Sequence, residues 1–142
     1  MIEIENVRKS FGPLEVLKGI DLTVAKGEVL TVIGGSGSGK STLLACLSGQ
    51  MAPDAGAVIY RGTDTVTMDE PARRHLARTE WAFVHQNPRD GLRMSVSAGG
   101  NVGERLMATG ARHYWRIRAT ASDWLGRVEI DPARIDDRPR QF

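Results

Sequence analysis

VLTVIGGSGSGKSTLLACLSGQ, residues 29–50, carries the reading of the fold. Val29–Ile33 is a nearly continuous apolar run rich in β-branched residues, the pattern of a strand buried on both faces of a parallel sheet. Gly34-Gly35-Ser36-Gly37-Ser38-Gly39-Lys40-Ser41 then matches G-x-x-x-x-G-K-S/T. The segment from Lys40 is helical in character and ends near Gly49. Strand, glycine loop and helix in that order make a cradle for a phosphate group. Gly35, Gly37 and Gly39 let the backbone turn tightly, so that successive N–H groups point at one anion. The helix start adds unpaired N–H groups and partial positive charge. Lys40 brings a point charge to the β- and γ-phosphates. The Ser41 hydroxyl suits a Mg²⁺ ion, and Thr42 is within reach of the α-phosphate.

Upstream, residues 2–7 and 20–25 alternate apolar and polar side chains, as half-buried strands do. Gly12 and Pro13 mark a turn between them, so an antiparallel pair is expected. Downstream, PDAG at 53–56 is a turn and AVIYRG a short strand. DEPARRHLAR reads as a helix with Pro71 in its first turn, and WAFVHQ at 81–86 as another strand. The character becomes helical from Val102. Tyr114, Ile117, Ala121, Trp124 or Leu125, and Val128 share one face, which predicts that the large aromatics there are core. The last ten residues, ARIDDRPRQF, read as a charged connection that closes no fold.

Composition bounds the remaining possibilities. The 142 residues amount to one domain's worth of chain at most, with ordinary hydrophobic (41%) and charged (25%) shares. A net charge of +2 is too small to argue for a polyanion partner. Arg73, Arg74, Arg78, Arg89 and Arg93 therefore read as solvated helix face and loop, and no nucleic-acid partner is expected. The single cysteine, Cys46, allows no internal disulfide. The N-terminus lacks the pattern of a signal peptide, and no apolar run approaches membrane-spanning length. A cytoplasmic location follows as the expectation, with attachment to the inner face of a membrane open.

SFGPLEVLKGIDLTVAKGEVLTVIGGSGSGKSTLL resembles the opening of an ATP-binding-cassette (ABC) ATPase. The resemblance implies an α/β P-loop fold with N-terminal antiparallel strands and part of a helical subdomain, and ATP and Mg²⁺ as cofactors. It implies that Phe11 stacks on adenine with Val16 flanking the base. Gln86, in FVHQNP, matches the family's glutamine loop, which contacts the metal and the attacking water. His85 beside it reads as a strand residue. Residues 1–87 would form the N-terminal part of the ATP-binding core and residues 88–142 a partial helical subdomain.

Residues from Arg78 onward resemble one branch of that family, the ATP-binding subunits tied to phosphonate carbon–phosphorus lyase. Residues 1–50 are closer to importers of polar amino acids, and GGSGSGK stands where the lyase branch usually has GESGSGK. All four Lys lie at or before Lys40, while fourteen of the fifteen Arg lie beyond residue 60. A divergent member and a join of two relatives both fit that asymmetry. The partners implied are a second ATPase subunit, head to tail, and either a lyase core complex or membrane permease subunits.

The chain lacks two further family features. No apolar run after Lys40 ends in the acidic residue that holds Mg²⁺ through water, and none supplies a base for the attacking water. Val96-Ser97-Ala98-Gly99-Gly100-Asn101 has the Ser and Gly of the family's signature loop, but stands too soon after Gln86. It reads as a glycine cap to the following helix. The expectation is a truncated cassette that ends just before the signature, binds nucleotide weakly and hydrolyses negligibly. An ATPase subunit of a solute importer and a non-catalytic remnant remain as alternatives.

Overall fold

The computed structural model describes residues 1–142, in two compact units, Met1–Arg74 and His75–Phe142. In the first unit β1 (Ile2–Phe11) and β2 (Leu14–Val24) form a hairpin through Gly12-Pro13. β3 (Ala55–Tyr60) and the short β4 (Thr63–Asp64) complete an antiparallel sheet of order β2-β1-β3-β4. Ile4, Val7, Leu17 and Val58 turn inward from this sheet. Leu43 and Cys46 meet them from α1 (Lys40–Leu47). Burying that set drives the unit's assembly, at roughly 1.5–3 kcal/mol for each large side chain.

Two irregularities shape the sheet. Between Ile4 and Val7 the register shifts, Asn6 takes φ 46°, and its N–H donates to Asp21 Oδ1 at 2.8 Å. At the hairpin's other end Lys9 pairs with Leu17 but Ser10 pairs with Glu15, so Val16 is an extra residue, a β-bulge. Asp54 fixes that end of β1 by accepting from Lys9 Nζ (2.6 Å) and from the Ser10 N–H (2.7 Å).

The expected strand at 29–33 is absent. That segment is irregular, with Val29 90% and Ile33 88% exposed. WAFV, residues 81–84, is likewise outside any ladder, so His85 is not a strand residue. An extended segment becomes a strand only when a neighbour accepts and donates its backbone hydrogen bonds, and all the pairing in the sheet is among β1–β4.

α2 (Glu70–Thr79) leads into the second unit, where a 3₁₀ turn (Pro88–Gly91) precedes α3 (Ala98–Ala108) and α4 (Tyr114–Arg127). α3 starts four residues before the expected Val102. Its cap is Ser97, whose Oγ accepts from the Gly100 N–H at 3.2 Å, and not a glycine. Asn101 fixes the approach to α3: its Nδ2 donates to the carbonyls of Arg93, Val96 and Ser97, and its Oδ1 accepts from the Arg93 N–H. α3 and α4 approach closely at Gly103, where a Cβ would stand 2.8 Å from Ile117 Cγ2.

The core of this unit is Ala121, Leu125 and Ile135, flanked by Ala98, Val102 and Ile130. The aromatics of α4 are not part of it. Trp115 is 76% exposed, Tyr114 and Trp124 are exposed too, and the Arg127 guanidinium lies 4.3 Å from the Trp124 ring centroid. Tyr114 falls on the buried stripe by spacing but sits at the helix's first position, before the stripe has anything to pack against.

ARIDDRPRQF also differs from its expectation. Ile135, in the 3₁₀ turn Pro132–Asp136, is buried, and the Asp137 carbonyl accepts from the Ala98 N–H at 2.7 Å. Arg118 grips Asp136 through two hydrogen bonds of 2.6 Å. The segment closes the helical unit. No helix is long and apolar enough to cross a membrane.

Candidate functional site

The loop 34–39 runs between the irregular segment and α1. Gly37 (φ 77°) and Gly39 (φ 88°) are left-handed, the conformation that a side chain would oppose. Gly35 is not left-handed, and a Cβ there would meet nothing within 4 Å. Of the three glycines expected to be required for tight turning, the backbone thus requires two.

α1 begins without any of the usual satisfactions. Its N-cap Gly39 has no side chain, no acidic residue stands in the first turn, and the cap makes no side-chain hydrogen bond. The Leu43 N–H donates to the Gly39 carbonyl at 2.8 Å, closing the first turn. The N–H groups of Lys40, Ser41 and Thr42 precede the first possible intrahelical acceptor. Three donors at a positive helix end, uncapped, suit an anion.

Lys40 folds back over this opening. Its Nζ donates to the Gly34 carbonyl (2.8 Å), the Gly35 carbonyl (2.6 Å) and Ser38 Oγ (3.3 Å). The loop therefore presents a positive charge at its own centre. Ser36, Ser38 and Ser41 are exposed at its rim and Thr42 is half-buried. A polyphosphate fits this donor set, which offers backbone N–H groups, an ammonium and hydroxyls.

The hairpin supports the loop from below. A Cβ on Gly39 would stand 3.0 Å from Val16 Cγ1, 3.3 Å from Leu17 Cδ2 and 3.4 Å from the Val16 carbonyl oxygen. The bulge explains why two consecutive side chains reach the same glycine, since both bulged residues oppose a single partner residue. The structure thus brings Val16 to the phosphate loop, as well as Leu17, which the sequence reading passed over. Its signal was there: Val16-Leu17 is an apolar doublet inside an otherwise alternating strand.

Phe11 ends β1 and is 47% exposed, with Lys9 Nζ 5.9 Å from its ring centroid. A ring with half its surface open is free to stack on a ligand. Gln86 lies in the second unit, exposed, at the bend before Pro88–Gly91. His85 beside it is half-buried and meets Phe83 edge-on, with ring centroids 4.8 Å apart. The signature-like stretch 96–101 serves the fold: Ser97 caps α3, and Gly99 lies so close to Ile135 that a Cβ would stand 2.5 Å from Cγ1.

Comparison with known proteins gives consistent matches. The family model described as "ABC transporter" matches residues 17–142. The putative phosphonates utilization ATP-binding protein PhnK of Escherichia coli (strain K12) is 49% identical over 142 residues, which are all of this chain and 56% of that protein. The sulfate/thiosulfate import ATP-binding protein CysA of Methylococcus capsulatus is 37% identical over 131 residues, 92% of this chain and 36% of its own length. Among solved structures, an ATP-binding cassette captured as a dimer in a post-hydrolysis state with ADP and Pi superposes with a TM-score of 0.88 at 28% identity. It covers all of this chain and 63% of its own. The chain thus spans about half the length of the first of these relatives and about a third of the second.

Proposed function

The chain belongs to the ABC transporter family, and from that premise we propose that residues 1–142 carry the nucleotide-holding part of an ATP-binding subunit serving phosphonate use. The observation that carries the proposal is the loop 34–41. An uncapped helix end and the Lys40 ammonium converge on one opening there. In this reading Lys40 and the loop N–H groups hold the β- and γ-phosphates, and Thr42 holds the α-phosphate. Ser41 would ligate Mg²⁺, and Gln86 keeps the metal-contacting role that the family resemblance implies. Phe11 and Val16 take the adenine. Bound ATP would supply a phosphoanhydride that is cleaved in the full-length family member only. The chain's own part is to bind and orient it. Residues 1–87 do the holding, and 88–142 form the helical part.

The phosphonate assignment is supported by the 49% identity to the E. coli phosphonates utilization protein. The partners that go with it are a second copy, head to tail, and a carbon–phosphorus lyase core complex. A dimeric solved relative supports the first of these. A second reading, an importer ATPase, is favoured by the 37% identity to the sulfate/thiosulfate import protein. Affinity purification from the native cell separates the two: recovery with integral membrane subunits favours the importer, and recovery with a soluble lyase core favours phosphonate use.

Nucleotide binding is tested by calorimetry with Mg-ATP on the wild type and Lys40→Ala. Removing the ammonium from the phosphates is expected to weaken binding by at least about tenfold, the effect of one lost charge-assisted contact. Equal affinities would sink the assignment.

A further inference from the structure

We propose that the cavity at the C-terminal end of α1 is a binding site for a small aliphatic carboxylate, held by the Arg73 guanidinium. The cavity lies wholly within the first unit, at the opposite end of α1 from the phosphate loop. The inference goes beyond the nucleotide reading and stands or falls independently of it.

The cavity has a volume of about 140 Å³. Its walls are the end of α1 with the turn after it, the residues that follow β4, and Arg73 of α2. A protein cavity of about 150 Å³ takes a benzene molecule, so the ligand has roughly six heavy atoms.

Arg73 supplies the charge. It is half-buried, and its stem lies across Gly49, where a Cβ would stand 3.3 Å from Arg73 Cδ. Arg8, Arg74, Arg93, Arg118 and Arg134 each pair with a carboxylate. Arg105 and Arg112 donate to backbone carbonyls, and Arg61 and Arg127 lie over aromatic rings. The Arg73 side chain does none of these, and of the arginines without a partner it alone is drawn in from solvent. A charge withdrawn from water with no counter-ion is costly. A carboxylate relieves that cost by accepting two parallel hydrogen bonds from the guanidinium fork.

The helix end does not oppose an anion here. The Leu44 carbonyl accepts from the Ser48 N–H, Ala45 from Gln50 and Met51, and Cys46 from Gly49, which blunts the negative end of α1. The rest of the wall is neutral. Thr65 is buried, and its hydroxyl proton is committed to the Val58 carbonyl at 3.0 Å. Burial pushes the Cys46 thiol up, which keeps it uncharged near neutral pH. Met51 and Val66 are half-buried at the edge of the core. One fixed cation, no carboxylate and an apolar remainder select a monoanion with a short hydrocarbon tail. A phosphate or phosphonate dianion would bring a second charge that no group in the wall meets.

The test titrates butyrate, and separately inorganic phosphate, into the wild type, Arg73→Gln, Arg73→Lys and Arg74→Gln, following backbone amide shifts by NMR. Arg74, exposed and paired with Glu70, controls for loose attraction to a basic helix face. Butyrate should bind saturably, with shifts confined to residues 46–53, 65–66 and 73. Arg73→Gln should weaken it at least about tenfold, the effect of one lost charge-assisted contact. Arg73→Lys, which keeps the charge but loses the fork, should weaken it severalfold, and Arg74→Gln should leave it unchanged. Phosphate should bind more weakly than butyrate. No saturable butyrate binding in the wild type, undiminished affinity in either Arg73 variant, equal losses in Arg73→Gln and Arg74→Gln, or phosphate as tight as butyrate would each overturn the proposal.

Discussion

Gly39→Ala and Gly35→Ala, four residues apart in one loop, give the sharpest check on the loop geometry. At Gly39 the backbone holds φ 88°, which costs an L-residue about 1–2 kcal/mol. The new methyl would also stand 3.0 Å from Val16 Cγ1 and 3.4 Å from the Val16 carbonyl oxygen. Overpacking of that kind adds about 1–3 kcal/mol. Since Val16 sits in a bulge pinned by the Lys9–Asp54 pair, it has little room to withdraw. The sum is roughly 2–5 kcal/mol, relieved only if the loop lifts off β2. At Gly35 neither penalty applies, and alanine should change stability by less than about 1 kcal/mol, in either direction. Trp81, Trp115 and Trp124 all lie in the second unit, so intrinsic fluorescence reports on the wrong half. Urea denaturation followed by far-UV circular dichroism, with hydrogen exchange on the amides of residues 34–43, reads the right one. Faster exchange there in Gly39→Ala alone is the expected result. Equal midpoints and equal exchange in the two variants would refute the argument that β2 supports the loop.

The Asp54 carboxyl is held below its usual range by the hydrogen bond from Lys9, then by the one from the Ser10 N–H. A lowered folded pKa contributes stability that is present above the unfolded value, about 3.9, and lost as pH falls through the folded one. The stability gap between wild type and Asp54→Asn should therefore shrink as pH falls through the acid range; a gap that stays constant to low pH contradicts it. Burial pushes the Cys46 thiol above its ordinary range. Its reaction with a thiol reagent near neutral pH should be slow and should accelerate with unfolding, whereas stoichiometric labelling of the folded chain within the mixing time would count against the core described here. In the helical unit Gly99→Ala would drive a methyl to 2.5 Å from Ile135 Cγ1. The substitution should destabilise by about 1–3 kcal/mol, and much less in an Ile135→Ala background; strict additivity in that double-mutant cycle would exclude the contact.

What the sequence made legible was what the chain decides locally. Alternation found the hairpin, because a strand half-buried on one face writes its period into a few residues. The glycine loop and α1 were legible because left-handed turns and an uncapped helix end demand particular residue types at fixed spacing. Val29–Ile33 was misread for the opposite reason. An apolar run states that a segment is insoluble alone, but it does not name the strand that will pair with it. The exposed aromatics of α4 show the same limit, since spacing identifies a stripe while the extent of its neighbour decides how far along the helix the stripe is covered. Ile135 was hidden by its surroundings, one apolar side chain among charges, yet it closes the core because Arg118 takes Asp136 and Ala98 takes the Asp137 carbonyl on either side of it. The bulge at Val16 falls between these cases. Its doublet was visible in the sequence, but its consequence was not: one added residue turns two consecutive side chains toward Gly39 and so ties the hairpin tip to the phosphate loop. If the tip holds the base and the loop the phosphates, that single residue sets the distance between them. Deleting Val16 should then weaken ATP far more than tripolyphosphate, because it removes both a side chain set against the base and the spacing of the tip from the loop.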